Sequence, residues 1–258
     1  MPFQPLTDPP ADEADGPCLV VAVHAGSSVL VVDDRAPADG LFLGTLDGRH
    51  CWAVDVVDED DVDTDLFKDL RLLWGAIDEV PWIVAGRAVQ LVEWRRTHRF
   101  CGRCATAMEP ARGERAMRCP RCSLLSFPRL APAVITLIHD GGDRLLLANN
   151  RNFGIPMYSL LAGFVEPGET LEEAAYRETL EEVGVEVRDL AYWGSQPWPF
   201  PHSLMLGFTA RADPEAPIVL QEDEIADAKW FALDDLPMIP PVMSIAGRMI
   251  EAWKAERP

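Results

Sequence analysis

The sequence predicts an α/β protein whose main domain follows a four-cysteine module and a small N-terminal α+β domain. Three observations predict this order: short apolar runs between turn signals over residues 18–57, two Cys-x-x-Cys pairs, and then strands that surround a glycine-bounded acidic helix. We expect domains at residues 1–96, 97–127 and 128–258.

The first domain is predicted from its turn signals and its apolar spacing. Asp39-Gly40 and Asp47-Gly48 separate short apolar runs, which indicates strands joined by hairpins. The acidic stretch from Asp55 to Asp69 is interpreted as a solvated loop that leads into a helix. Ala85 to Trp94 has helical spacing and is followed by basic residues, which predicts a second helix.

The third domain opens with a predicted strand-turn-strand unit. Ala133 to Ile138 and Leu145 to Leu147 are apolar runs on either side of the turn Gly141-Gly142. A helix over about 170–183, two further strands around a proline-rich loop, and a last helix near 242–255 follow.

Composition and charge limit the classes of function. At 258 residues and 48% hydrophobic content the chain can bury a full core, and the net charge of −19 disfavours a general phosphate-binding surface. The start MPFQPLTDPPADEADGP lacks the features of a signal peptide, and no apolar run is long enough for a bilayer, so we expect a cytoplasmic protein. Cys18 and Cys51 stand alone in apolar runs, which predicts reduced, buried thiols.

Residues 95–129 form a basic island in this acidic chain. They hold nine arginines and two glutamates, a local charge of +7. These arginines could contact phosphates or could pair with the acidic flanks of the same protein.

Four cysteines inside the island predict a structural zinc site. Cys101 and Cys104 are separated by fourteen residues from Cys119 and Cys122, a spacing close to that of two-knuckle sites with four thiolate ligands. Redox-active or free cysteines are the weaker alternative. A zinc ribbon among arginines could bind nucleic acid, but it could equally join domains or build a dimer surface, which we favour.

The segment from Gly163 to Val185 predicts a divalent-cation site. In a helix that starts near Thr170, Glu178 and Glu182 share one face at i, i+4, and Glu181 lies at i+3 from Glu178. Their like charges repel one another, which predicts a cation between them. Carboxylate oxygens suit Mg²⁺ or Mn²⁺. The alternative, an acidic solvated helix, would not require a glycine at both ends.

The same segment resembles the Nudix box, G-x5-E-x7-R-E-U-x-E-E-x-G-U, with Thr179 as the one soft departure from an aliphatic residue. The resemblance implies a Nudix α/β/α sandwich with a mixed sheet over about 129–258. It implies catalytic roles for Glu178, Glu181 and Glu182, and structural roles for Gly163, Glu169 and Arg177. The implied Mg²⁺ or Mn²⁺ ligands are Ala162 through its carbonyl, Glu178, Glu181, Glu182 and Glu224.

Residues 195–203, Ser-Gln-Pro-Trp-Pro-Phe-Pro-His-Ser, combine three prolines with aromatic residues. The prolines hold the backbone extended, so Trp198 and Phe200 could present rigid faces to a flat ring. A proline-rich surface loop is the alternative. The segment resembles the SQPWPFPxS signature of the bacterial NADH pyrophosphatase family, and the likeness covers about residues 85–255.

That resemblance implies a homodimer in which Phe127 and Phe164 sandwich the nicotinamide. The implied substrate contacts are Arg71, Glu114, Phe127, Phe164, Gln196, Pro197, Trp198, Pro199, Phe200, Pro201, His202, Ser203 and Ala246.

The expected reaction is metal-dependent hydrolysis of the pyrophosphate of NADH or NAD to NMNH or NMN and AMP, with Glu181 or Glu182 as general base. Removal of NAD caps from RNA 5′ ends is an alternative that uses the same bond and gives the basic island a role in holding the transcript. A zinc-ribbon interaction scaffold with an inactive Nudix domain is the alternative from another class, and the complete set of carboxylates disfavours it.

Overall fold

The fold was determined as a computed structural model, which describes residues 3–10, 16–57 and 63–257. By its internal contacts the chain divides into two compact units, Met1–Arg129 with Pro199–His202, and Leu130–Trp198 with Ser203–Pro258. Among the described residues, we find no helix with the length and hydrophobicity of a bilayer crossing.

A six-stranded sheet forms the base of the first unit, in the order β1-β4-β5-β2-β3-β6. The β2–β5 pair is parallel and the others are antiparallel, which confirms the predicted strands. Its strands are β1 (Phe3–Pro5), β2 (Cys18–Val23), β3 (Ser28–Asp34), β4 (Leu41–Leu46), β5 (Arg49–Asp55) and β6 (Lys68–Asp69).

The acidic stretch predicted as a loop is only partly a loop. Residues 58–62 lie outside the described residues. Asp55 ends β5, Thr64–Leu66 forms a 3-10 turn, and Lys68–Asp69 forms β6. A second 3-10 turn, Leu70–Leu73, follows where the sequence predicted a helix. Leu70 is buried, and its carbonyl accepts a hydrogen bond of 2.7 Å from the Trp82 indole, so packing orders this segment despite its charge.

Helix α1 (Glu79–Thr97) is longer than the predicted Ala85–Trp94. Pro81 lies in its first turn, where a missing N–H costs no intrahelical hydrogen bond, so the helix begins before the proline. Cys18 and Cys51 are buried as free thiols in neighbouring strands, as the sequence predicted.

The zinc-ribbon segment folds as a three-stranded antiparallel sheet in the order β7-β8-β9. Its strands are β7 (Glu109–Pro110), β8 (Met117–Arg118) and β9 (Leu125–Ser126).

The second unit is built on a mixed sheet in the order β13-β14-β10-β11-β15, with β12 also paired to β10. The β10–β14 pair is parallel and the other pairs are antiparallel. Its strands are β10 (Ala131–His139), β11 (Arg144–Asn150), β12 (Leu161–Phe164), β13 (Val187–Trp198), β14 (Ser203–Ala212) and β15 (Ile225–Ala232).

Helices cover both faces of this sheet. Along β10, Ile135 and Leu137 share a buried cluster with α3 (Ile245–Ala255), whereas Val134 and Ile138 face the clusters that contain α2 (Leu171–Val183). Alternate residues of a strand point to opposite faces, so α2 and α3 lie on opposite sides. The predicted α/β/α sandwich is therefore confirmed.

Helix α3 starts three residues later than the predicted 242–255. Ser244 caps it by accepting a hydrogen bond of 3.3 Å from the Gly247 N–H. Serine is strongly favoured at the N-cap position of a helix, so the first helical residue is Ile245.

Candidate active site

Helix α2 is bounded by local signals that orient its carboxylates. Thr170 Oγ1 accepts a hydrogen bond from the Glu173 N–H (3.2 Å), and the Glu173 carboxylate accepts one from the Thr170 N–H (2.8 Å), which forms a capping box. At the other end Gly184 adopts a left-handed φ of 70°. Such a conformation favours glycine and ends the helix.

The Arg177 guanidinium joins the loop, the strand and the helix of the site. It donates to both oxygens of Glu169 (2.7 and 2.9 Å), to Glu178 (2.8 Å), to Glu181 (3.0 Å) and to the Phe164 carbonyl (2.9 Å). Hydrogen bonds from Arg177 hold the pKa of Glu169 well below its usual range, at about 2. The Glu169–Arg177 contact that the resemblance implied is therefore present.

Glu182 is a buried carboxylate without a full set of partners. Its side chain is 3% exposed, and its Oε2 has no hydrogen-bond partner among the described residues. Burial, and then the charges of Glu178 and Glu224, raise the pKa of Glu182 to about 8. Burial likewise raises the pKa of Glu178. A bound cation would oppose both shifts, because a nearby positive charge favours the ionised form of each carboxyl group.

Gly163 leaves the space that Glu178 occupies. A Cβ atom placed on Gly163 would lie 1.9 Å from the Glu178 carboxyl carbon. A side chain at this position would displace the Glu178 carboxylate, which gives the first glycine of the box a steric reason.

The donor set fits a hard divalent cation. Glu178 and Glu182 share a helix face, Glu224 is close enough to raise the pKa of both, and Asn150 Nδ2 donates to Glu224 (3.4 Å). The orphaned Glu182 Oε2 is an oxygen ligand of the kind that Mg²⁺ and Mn²⁺ bind. The carboxylates are spread more widely than the cysteines: in the described part of the chain, only the four cysteines bring three or more such ligand atoms within 4.8 Å of one another.

Thr179 is accommodated by the helix itself. Its side chain is fully buried, and its hydroxyl donates to the Ala175 carbonyl at 2.8 Å. An aliphatic residue would fill the same space, and the hydroxyl is satisfied one turn back, so the departure from the box leaves no unpaired polar atom.

A cavity of about 370 Å³ adjoins Glu182 in the second unit. Ala162, Trp198 and Ala246, all predicted at the metal or the substrate, line it. Gln196 lines it too, but its amide donates to the Met243 carbonyl (2.7 Å) and accepts from the Ile245 N–H (2.6 Å). Gln196 therefore braces the cavity wall at the start of α3.

The cysteine cluster fits zinc. The Sγ atoms of Cys101 and Cys122 are 3.5 Å apart, as are those of Cys104 and Cys119. Tetrahedral zinc with Zn–S bonds of about 2.3 Å would separate its thiolates by about 3.8 Å. The Arg103 N–H donates to Cys101 Sγ at 3.4 Å, a bond that stabilises a thiolate.

Comparison with known proteins decides the family. The chain is 46% identical over 216 residues to the "NAD-capped RNA hydrolase NudC" of Pseudomonas putida strain F1, an alignment that covers 83% of this chain and 77% of that protein. It is 45% identical over 214 residues to the protein of the same name from Deinococcus radiodurans, with coverage of 82% and 76%. The chain belongs to the NADH pyrophosphatase family of Nudix hydrolases.

Family models agree with this membership along the chain. Residues 7–94 match the NADH pyrophosphatase-like rudimentary NUDIX domain, residues 96–127 the NADH pyrophosphatase zinc ribbon domain, and residues 129–253 the NUDIX domain. A Nudix hydrolase from Nitrosomonas europaea has the same fold, with a TM-score of 0.52 at 21% identity, over 62% of this chain and 92% of that structure. The protein is thus a Nudix pyrophosphohydrolase.

Other residues predicted from the NADH pyrophosphatase signature lie outside this cavity. In the first unit, the Arg71 guanidinium covers the Phe200 ring at 3.7 Å, and Pro199 packs against Gly86. In the second unit, Ser203 is buried at the start of β14, Pro197 is exposed, and the Phe164 ring is 57% exposed. The first unit also contains Glu114, Phe127, Pro201 and His202.

Sequence reasoning missed two groups of the NADH pyrophosphatase site. Asn150, which bonds to Glu224, lies at a β-bulge where β11 meets β15. Met157 and Met243 line the cavity from loops. An asparagine before a turn was the one available signal, because neither methionine belongs to a periodic pattern.

Proposed function

We propose that the chain hydrolyses the pyrophosphate bond of NADH or NAD to NMNH or NMN and AMP, and that the same chemistry removes NAD caps from RNA. The observation that supports this is the cavity in which the buried carboxylate of Glu182 meets Trp198 and Gln196 of the family signature. The relatives from Pseudomonas putida and Deinococcus radiodurans are named for the second activity.

We propose Mg²⁺ or Mn²⁺ as the catalytic cation, held by Glu178, Glu181, Glu182, Glu224 and the Ala162 carbonyl. Such a cation, when bound, neutralises diphosphate charge and lowers the pKa of a bound water. Arg177 fixes Glu178 and Glu181 relative to the loop before α2. Glu181 or Glu182 accepts the proton of the attacking water.

We further propose that the exposed Phe164 ring stacks on the nicotinamide, with Phe127 as the second ring.

We also propose a homodimer, because a second copy would cover the exposed aromatic side chains of Tyr192 and Trp193 on β13. The four-cysteine site would hold zinc permanently, because an all-thiolate shell leaves no open position. The expected cytoplasmic location and the boundaries 1–96, 97–127 and 128–258 complete the proposal.

The test is product release by the purified protein with Mg²⁺ or Mn²⁺. We expect NMNH and AMP from NADH, and nicotinamide mononucleotide from NAD-capped RNA, with a comparison of kcat/KM that ranks the two substrates. Glu178→Gln serves as the inactive control. Absence of NMNH under both cations would contradict the first activity, and absence of mononucleotide from capped RNA would contradict the second.

A further inference from the structure

A groove in the first unit is lined by side chains that hydrolysis of a dinucleotide does not use. Its volume is about 810 Å³, within the size range of ligand-binding clefts. Its lining combines three arginines, two aspartates and a larger apolar part, and includes Arg95, Arg96, Arg99, Asp39, Asp55, Phe100, Met108 and Met117.

The three arginines of the groove have different roles. Arg96 is committed to the fold, since it donates to Asp55 Oδ1 (2.9 Å) and to the Val23 carbonyl (3.1 Å). Arg95 and Arg99 form neither a hydrogen bond nor an ion pair through their side chains within the described ranges. Two guanidinium groups therefore keep their donors available to a ligand in the groove.

Phe100 presents an exposed aromatic face beside these arginines. Its side chain is 63% exposed, so the ring is open to a ligand. Its backbone is held by an antiparallel bridge to Ala107 and lies next to Cys101 of the cysteine cluster. The Arg99 carbonyl accepts a further hydrogen bond of 2.9 Å from the Met108 N–H. Because the backbone is held, a flat group that stacks on the ring restricts only the rotation of its side chain.

The local charge of the sequence favours a polyanion at this island. The protein carries −19, whereas residues 95–129 carry +7. Within the groove three arginines outnumber Asp39 and Asp55, and Asp55 is paired with Arg96. A phosphate chain would therefore be repelled by the protein at long range and attracted by this island at short range. Arginines that track phosphates beside an exposed ring for bases are the features of sequence-tolerant binding to single strands.

We propose that this groove binds the single-stranded RNA that follows an NAD cap, with Arg95 and Arg99 on phosphates and Phe100 stacked on a base. This rests on the proposed removal of NAD caps. An acidic peptide would also satisfy the arginines, but it would leave the exposed Phe100 ring without a matching flat group.

The test separates the RNA from the dinucleotide. In Arg95→Ala/Arg99→Ala, kcat/KM for NADH should stay at the parent value, while kcat/KM for NAD-capped RNA falls at least about tenfold at low salt. The loss of two phosphate contacts should reduce the slope of log affinity against log salt by about 1.4. Phe100→Leu keeps the apolar volume and should lower kcat/KM for capped RNA about fivefold.

Arg112→Ala/Arg121→Ala is the matched control, because it removes the same charge from the same basic island outside the groove. We expect it to cleave capped RNA nearly as the parent does. Equal loss in both double variants would overturn the groove and indicate a general charge effect. Parent-like cleavage and an unchanged salt slope in the groove variants would overturn it as well.

A direct binding assay tests the groove even if the protein does not remove NAD caps. Fluorescence anisotropy with a short uncapped single-stranded oligonucleotide should show binding by the parent and loss of binding in the groove variants. No binding by the parent, or competition by poly-glutamate as strong as by RNA of equal charge, would refute the assignment of RNA to the groove.

Discussion

Replacement of Glu182 by glutamine should make the metal-free protein less sensitive to pH. The pKa of Glu182 is raised from 4.5 to about 8, chiefly because the carboxylate is buried and then because Glu178 and Glu224 are close. The folded protein therefore holds a proton that the unfolded chain releases, and the stability of the parent falls as pH rises from about 4.5 to about 8. Glu182→Gln removes this titration.

The magnitude follows from the size of the pKa shift. One pKa unit corresponds to about 1.4 kcal/mol, so the shift to about 8 destabilises the parent at pH 7 by about 3 kcal/mol relative to pH 4.5. The buried amide of the variant has its own cost, but that cost does not change with pH. The difference in unfolding free energy, variant minus parent, should therefore rise by about 3 kcal/mol over this interval.

Urea unfolding in Mg²⁺-free buffer without chelator measures this difference while zinc stays bound. Hydrogen exchange of peptides from α2 is the readout, since the two units need not unfold together. Glu181→Gln is the matched control for removal of one negative charge from the same helix, because Glu181 is 54% exposed. The pH-dependent difference from the parent should be larger for Glu182→Gln than for this control. A flat difference for Glu182→Gln would refute the reasoning.

Four further predictions concern the catalytic site and the zinc ribbon. Glu178→Gln should fold like the parent but lose at least about 10²-fold in kcat for NADH at saturating Mg²⁺, and near-normal turnover would exclude it as a metal ligand. Gly163→Ala should lower kcat to a similar extent, because the new Cβ would displace the Glu178 carboxyl; parent-like kcat would show that β12 can shift. Cys119→Ser should release zinc and lower the melting temperature of the first unit, and elemental analysis that finds no zinc in the parent would contradict the ribbon assignment. Phe164→Ala should mainly raise KM for NADH, and an unchanged KM would place the ring platform elsewhere.

The sequence predicted the parts of the site that depend on local spacing. Gly163 lies at strand β12, and Arg177 and Glu182 lie in the next helix along the chain, so periodicity and a matching motif are enough to place them. The roles of Gln196 and Asn150 were not predictable in this way. Each depends on a partner more than forty residues distant in the chain, Met243 and Glu224 respectively.

The same limit explains the errors in the fold. The predicted second helix began at Ala85, whereas α1 begins at Glu79 and accommodates Pro81 in its first turn. The acidic stretch was expected to be a loop, but its last residues, Lys68 and Asp69, pair with Val29 and Ser28 of the distant strand β3. Composition describes the average environment of a segment, whereas tertiary packing decides the exceptions.

Arg177 holds the loop, the strand and the helix of the active site together through its hydrogen bonds. All five N–H groups of its guanidinium are used, on Glu169, Glu178, Glu181 and the Phe164 carbonyl. A lysine has three donors on a single nitrogen and could not hold the loop, strand and helix at once. Met157 and Met243 line the cavity but are neither partners of Arg177 nor proposed metal ligands. These two positions of the wall can therefore be varied for a different dinucleotide while Arg177 keeps Glu178 and Glu181 in place.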